Sequence, residues 1–340
     1  MMRLVDVRYL RQMKSTTHQD HFLKSVITVF CLLPFLWTAC KPTSKSSDEL
    51  ISAPEIVGEA ISFLGDTLLR PEIEVEKFLQ NDSLLEEAKA VFLEDSTDLS
   101  AIIWYGRRLA YLHQYKDAID VYTQGIRLFP ESPELYRHRG HRYITIRQTE
   151  NAIHDLKLAA TLAVNRKMEV EPDGIPNKLD IPLSNLHFNI YYHLGLAYYL
   201  QANYAEAITS FQASMQYSNN PDLVVASTYW LYLTYLKTGD QETAKGLLTN
   251  IHPDMEIIEN EAYLHQLLLF QTGQSELNES DLSPESTSSG TQQYGISCWH
   301  EANGRHSEAD SIRRMILAED GWHYFGYIAA EADAARMLAQ

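Results

Sequence analysis

Apolar and polar positions alternate along this chain with the period of a helix. From Ala101 to Leu112 the apolar and aromatic residues recur at helical spacing. Gln114-Tyr115-Lys116-Asp117 reads as a polar turn, and Ala118–Phe129 as a second amphipathic helix. Pro130 ends that helix, while Ser132 and Pro133 supply an N-cap and a first helical residue for the next. No stretch sustains the every-other-residue alternation of a strand. The pattern predicts an all-α protein.

The helices come in a fixed register. Gly106 and Ala118 return as Gly140 and Ala152, 34 residues later, and again as Gly195 and Ala207. Small residues at such positions let two antiparallel helices approach closely, with larger side chains filling the space around them. The first unit is carried by Ile102, Tyr105, Gly106, Leu109, Ala118, Tyr122 and Pro130. The second has Tyr136, Arg139, Gly140, Tyr143, Ala152 and Leu156, and the third Tyr191, Leu194, Gly195, Tyr198, Ala207 and Phe211. A fourth unit, with Leu231, Tyr232, Tyr235, Ala244 and Leu248, has Tyr232 in the glycine position, which predicts a splayed pair. A fifth is read from Gly295, Cys298 and Ala309, with one extra residue in the turn at Asn303-Gly304.

These units resemble the tetratricopeptide repeat family over about two thirds of the chain. The resemblance implies a helical solenoid of antiparallel helix pairs whose inner helices line a concave groove. It implies a binding scaffold for a protein or an extended peptide, and one scaffold of this kind serves many partners.

The remainder of the chain divides around the repeats. Val26–Leu36 is an apolar run with Lys24 before it and Trp37-Thr38-Ala39-Cys40 after it, similar to a bacterial lipoprotein signal peptide, although Trp37 departs from the usual branched aliphatic residue. The run is short for a membrane span. Residues 1–39 are expected to be the leader, with Met13 a better start than Met1 and residues 1–12 an annotation artefact. Cys40 is then the lipidated first mature residue, and 40–70 a flexible tether. A helical preamble covers 71–98 and the solenoid 99–272, interrupted at 165–187 by an insert with three prolines and several acids. The polar stretch 273–290 is expected to be disordered, and 291–340 to hold a degenerate repeat and a closing helix. This places the protein in the bacterial cell envelope, membrane-anchored and facing the periplasm or the cell surface.

The formal net charge of −17 argues against nucleic-acid binding, which requires phosphate neutralisation. It would also repel anionic lipid, leaving the lipid on Cys40 as the membrane anchor. Of three cysteines, Cys31 lies in the leader and Cys298 is read as a small buried residue, so the mature chain can form no internal disulfide.

Against the acidic background stands Arg137-His138-Arg139-Gly140-His141-Arg142, on the first helix of the second repeat. Arg137 and His141 share a face at i, i+4, and Arg107 belongs beside them on the preceding unit. With Tyr111, Tyr192, Tyr199 and Tyr229 they form a candidate peptide groove. Arginine provides bidentate carboxylate recognition and tyrosine rigid contact area, which suits a partner with an acidic group or a free C-terminus. The competing expectation is internal pairing, with Glu169, Glu171 and Asp173 of the insert folded over the basic helix as a cover. No catalytic residue, cofactor or metal site is assigned. His138 and His141 could share a metal ion, but the flanking arginines would repel it. No phosphate loop, HExxH, GxSxG or CxxC motif occurs. The alternatives to a groove binder are a structural scaffold using the outer surface and, less favoured, a hydrolase using the histidine-rich helix.

Overall fold

The computed structural model describes residues 58–273 and 288–339. The expected leader, Cys40 and most of the polar stretch 273–290 lie outside the described residues. A short antiparallel hairpin of β1 (Gly58–Ile61) and β2 (Thr67–Leu69) precedes thirteen helices. After α1 (Val75–Glu94) the helices pair: α2 (Leu99–Tyr111) with α3 (Tyr115–Leu128), α4 (Pro133–Thr145) with α5 (Thr149–Ala163), α6 (Leu186–Leu200) with α7 (Tyr204–Gln216), and α8 (Pro221–Thr238) with α9 (Gln241–Leu248). Then follow α10 (Glu261–Thr272), α11 (Ser288–Ala302), α12 (His306–Leu317) and α13 (Phe325–Leu338).

The repeated small residues sit where the paired helices touch. A methyl group added at Gly106 would lie 2.4 Å from the Tyr122 ring. At Gly140 it would meet Leu156 at 2.8 Å, and at Gly195 the Phe211 ring at 2.6 Å. Ala118, Ala152, Ala207, Ala244 and Ala309 are all fully buried. In the fourth pair Tyr232 replaces the glycine. It is buried, and its ring stacks on Phe270 of α10 at 5.0 Å.

A second periodic feature is conformational. His113, Arg147, Ala202, Gly239 and Gly304 all have positive φ, and each stands five residues before its unit's buried alanine. This left-handed residue reverses the chain between the helices of every pair. It corrects the fifth unit: its turn has no extra residue, and the position twelve before Ala309 is the buried Ser297. Gly295 serves another contact, the approach of α11 to Tyr229, whose hydroxyl would lie 2.1 Å from an added methyl.

Helix starts follow local chemistry. Asp98 caps α2 by accepting from the Ala101 amide at 2.7 Å. Ser132 is the N-cap residue of α4 and Pro133 its first residue, but the Ser132 hydroxyl donates to Glu134 instead of bonding a helix amide. The α3 cap comes from far away. Glu59 on β1 is fully buried and accepts from the Tyr115 and Lys116 amides at 3.0 and 3.3 Å, while Arg70 donates to its other oxygen at 2.6 Å. A carboxylate there meets unpaired N–H groups and the positive end of the helix. Residues 58–70 are therefore built into the fold, contrary to the expected tether.

The β1–β2 hairpin and the segment from Trp322 to Glu331 meet at the first repeats. Trp322 is buried against the core of the first pair, and its indole N–H donates to the Leu69 carbonyl at 2.8 Å. Glu331 on α13 pairs with Arg147 at the α4–α5 turn at 2.7 Å and accepts from the Phe63 amide at 2.5 Å. Further along α13, Asp333 accepts from Lys237 at 2.7 Å and from the Tyr294 hydroxyl at 3.0 Å, and Arg336 donates to the Leu200 carbonyl at 2.7 Å. Helix α13 thus crosses the C-terminal ends of α6 and α8 and returns the solenoid to its beginning. Cys298 is buried nearby, its sulfur 3.7 Å from the Tyr199 hydroxyl.

Candidate functional site

The residues read as one groove separate into three groups. Arg107 and Arg137 hold the insert, an irregular segment with a bend at Gly174-Ile175 and a turn at Lys178-Leu179 that runs between α5 and α6. Arg137 Nη2 lies 2.9 Å from Glu171, and its Nη1 contacts His138 Nδ1 at 2.8 Å. The guanidinium can only donate, so His138 accepts at Nδ1 and carries its proton on Nε2, 4.0 Å from the second Glu171 oxygen. Asn189 of α6 also donates to Glu171. Arg107 donates to the Pro172 carbonyl and Arg108 to the Gly174 carbonyl, both at 2.8 Å. Gly174 fits against Tyr111 so closely that a methyl group would fall 1.7 Å from the tyrosine oxygen. The segment is anchored at its base by the Glu171 amide bonding the Ser184 carbonyl at 2.9 Å.

The acidic cover is narrower than the charge pattern predicts. Glu171 makes the ion pair. Glu169 is exposed, and Asp173 has a buried oxygen with no hydrogen-bond partner. Burial raises the Asp173 carboxyl above its ordinary range, with nearby Glu259 adding to the effect and Arg107 opposing it. Arg139 points elsewhere, forming a two-pronged bond to Asp155 of α5 at 2.7 and 2.8 Å.

The second group, Tyr111 and His141, lines a recess of about 600 Å³. Its walls come from α2, α4, the start of α1, the start of α10 and the segment His323–Phe325. His141 stacks on Phe325 at 5.5 Å and lies tilted against His193 at 4.1 Å between ring centres. Burial depresses both histidines well below 6.5, followed by Arg142 at His141 and by Arg137 at His193. His138 is depressed likewise, by burial and then Arg137. It stacks on Tyr122 at 5.6 Å, away from His141. Among the described residues no group of three or more His, Cys, Asp or Glu is placed to hold a metal ion.

The third group is core. Tyr192, Tyr199 and Tyr229 are 8 %, 1 % and 0 % exposed, so they cannot line an open groove. Tyr199 bonds Tyr294 at 2.8 Å, Tyr229 donates to the Thr291 carbonyl at 2.7 Å, and Tyr192 contacts Tyr263 at 3.5 Å. Their inner-helix placement is right, but α10 and α11 cover that face. Arg108 and Asn189 were missing from the candidates. Arg108 adjoins Arg107 and was a legible cation, whereas Asn189 carries no local signal that would mark it.

No protein-family model matches the chain, and no curated protein matches it. Solved structures do resemble it in outline. MamA is 18 % identical over 51 % of this chain and 82 % of its own, with a TM-score of 0.39. YrrB, described as a TPR protein with an unusual peptide-binding site, is 11 % identical over 68 % of this chain and 92 % of its own, at 0.40. BtubC from P. vanneervenii is 13 % identical over 78 % of this chain and 91 % of its own, at 0.42. The fold is a tetratricopeptide-type helical solenoid. That assignment stands on the helix pairs, their glycine–alanine contacts and the recurrent left-handed turn.

Proposed function

We propose that this chain is a binding scaffold for an acidic, extended peptide segment of a partner protein, and that its own insert occupies the site at rest. The observation that supports this is the insert itself. It carries Glu171 onto Arg137 and Asn189 while Arg107 and Arg108 donate to its backbone carbonyls. A partner carboxylate would make the same charge-assisted bonds. Competition is realistic because the insert is tied down at a few points and many of its residues, including Val170, Ile175 and Leu179, are exposed.

The test uses the insert's own sequence, a synthetic peptide of residues 168–177, titrated by fluorescence anisotropy. Glu171→Gln should vacate the carboxylate site and strengthen peptide binding over wild type. Arg137→Ala should abolish it, and rising salt should weaken it. Peptide binding that is absent from Glu171→Gln, or indifferent to Arg137→Ala, removes the proposal.

Lipid on Cys40 would hold this scaffold on an envelope membrane. Among the described residues no helix is long and apolar enough to cross one. Cys40→Ser should release the chain from membranes or leave it unprocessed; unchanged processing and partition would exclude the lipid anchor.

A scaffold role in assembly or self-association is supported by a different face. Helix α1 exposes Val75, Leu79 and Leu93 on one side, each between 61 % and 72 %. Sedimentation of wild type against Leu79→Glu distinguishes the two readings, since only the assembly role requires this face.

A further inference from the structure

We infer that the recess between the first two repeats and the returning C-terminal segment is a binding site for a small carboxylate with an aromatic body. The recess adjoins the insert, with Tyr111 and Ile175 in its lining, but its cation is Arg142 and not the insert-covered arginines, so the inference does not depend on the peptide reading.

Volume is the first observation. About 600 Å³ is in the range of sites for small organic ligands. Its apolar walls are largely aromatic, with Tyr111, Tyr263, Tyr324 and Phe325 contributing rings. Aromatic side chains at several sides favour a flat ligand body over a flexible chain.

Charge is the second observation. Arg142 lines the recess and is partly buried, yet among the described residues it has no carboxylate and no hydrogen-bond acceptor. Its guanidinium carbon lies 5.6 Å from the centre of the Tyr115 ring. The neighbouring arginines each have a carboxylate partner: Arg137 has Glu171, Arg139 has Asp155, and Arg147 has Glu331. A partly buried guanidinium without an anion is costly, and its planar fork matches a carboxylate.

The acids at the recess do not fill that role. Glu74 caps the start of α1 by accepting from the Glu76 and Lys77 amides, and Glu259 accepts from Asn177 of the insert at 2.8 Å. Glu72 is exposed. Lys77 is exposed as well, so Arg142 is the partly buried cation of the recess. His113, His141 and His323 line the same space as neutral rings. They add ring surface without adding positive charge.

Three probes sharing one ring system separate charge from shape: indole-3-acetate, neutral indole-3-acetamide, and cationic tryptamine. Each is titrated into the full chain by calorimetry, with saturation-transfer NMR to detect weak binding. Indole-3-acetate should bind at least tenfold more tightly than either analogue. Arg142→Gln should bring its affinity down to that of the amide while leaving the amide unchanged, and Arg142→Lys should recover part of the difference. Ala262→Phe narrows the recess while leaving Arg142 in place, and should weaken indole-3-acetate and its amide together. It decides the matter if Arg142→Gln does not fold. No saturable binding of indole-3-acetate, equal affinity for all three probes, or binding indifferent to Arg142→Gln or to Ala262→Phe would each overturn the inference.

Discussion

Mild acid should loosen this fold through histidines that its interior keeps neutral. His323 permits a magnitude. Burial, then His113, Lys77, Arg142 and Arg147, depress it from 6.5 to about 3. In the unfolded chain it titrates near 6.5. Above that pH both states hold a neutral ring and the histidine adds no pH dependence. Below it the unfolded chain takes a proton that the folded chain refuses, so stability falls with pH until about 3, where the folded ring is protonated too. From 6.5 down to about pH 5, at about 1.4 kcal/mol per pH unit, His323 alone costs about 2 kcal/mol. His113, His138, His141 and His193 are depressed in the same direction, burial leading in each case, and add to the loss. Against a total stability of about 5–15 kcal/mol this is a large fraction. The assay is urea unfolding followed by far-ultraviolet circular dichroism at about pH 7.5 and about pH 5. His323→Phe preserves an aromatic ring beside Tyr324 and removes one titrating group, so its loss across that interval should be about 2 kcal/mol smaller. Comparing losses cancels the variant's own change in baseline stability. Equal losses in wild type and His323→Phe would refute the argument.

Three further outcomes are expected. Gly140→Leu places a side chain where even a methyl group meets Leu156 at 2.8 Å, and should lower stability by about 1–3 kcal/mol or more; an unchanged thermal midpoint would mean that this crossing is slack. Glu331→Gln leaves Arg147 buried without its carboxylate and should cost about 3–5 kcal/mol in urea unfolding, with a loss under about 1 kcal/mol showing that the closure contributes little. Ala202 has φ +56°, so Ala202→Gly relieves left-handed strain and should raise stability by about 1 kcal/mol; destabilisation would show that the alanine methyl matters more than its backbone.

The helix pairs were readable because their determinants are local and periodic. Gly140 and Ala152 lie twelve residues apart and touch across a single turn, so spacing alone announces the contact. Tyr199 and Tyr229 show the limit of that reasoning. Periodicity assigned them to the inner face, but what covers that face is α11, brought there by contacts 95 and 62 residues away in sequence. Arg137 was legible as a cation needing an anion, and the insert as a source of acids. Which acid reaches it depends on the path of the segment, and Glu171 arrives where Glu169 does not. The β1–β2 hairpin left no trace because strands this short carry too few residues to show alternation. It is held in place by Glu59 and by tertiary bonds to α3.

The contacts of Trp322 and Glu331 with the first repeats bear on how the molecule comes into being. In an open solenoid each repeat leans only on its neighbours, so repeats can be added, removed or folded one after another. Here the core of the first pair contains Trp322, and the turn of the second is pinned by Glu331, 184 residues further along the chain. The helices of the first two pairs therefore wait for α13 before their packing is complete. Such long loop closures slow folding and bind its parts into one transition. The number of repeats is constrained as well: an extra one would move α13 away from Arg147 and Leu200, and both contacts would be lost.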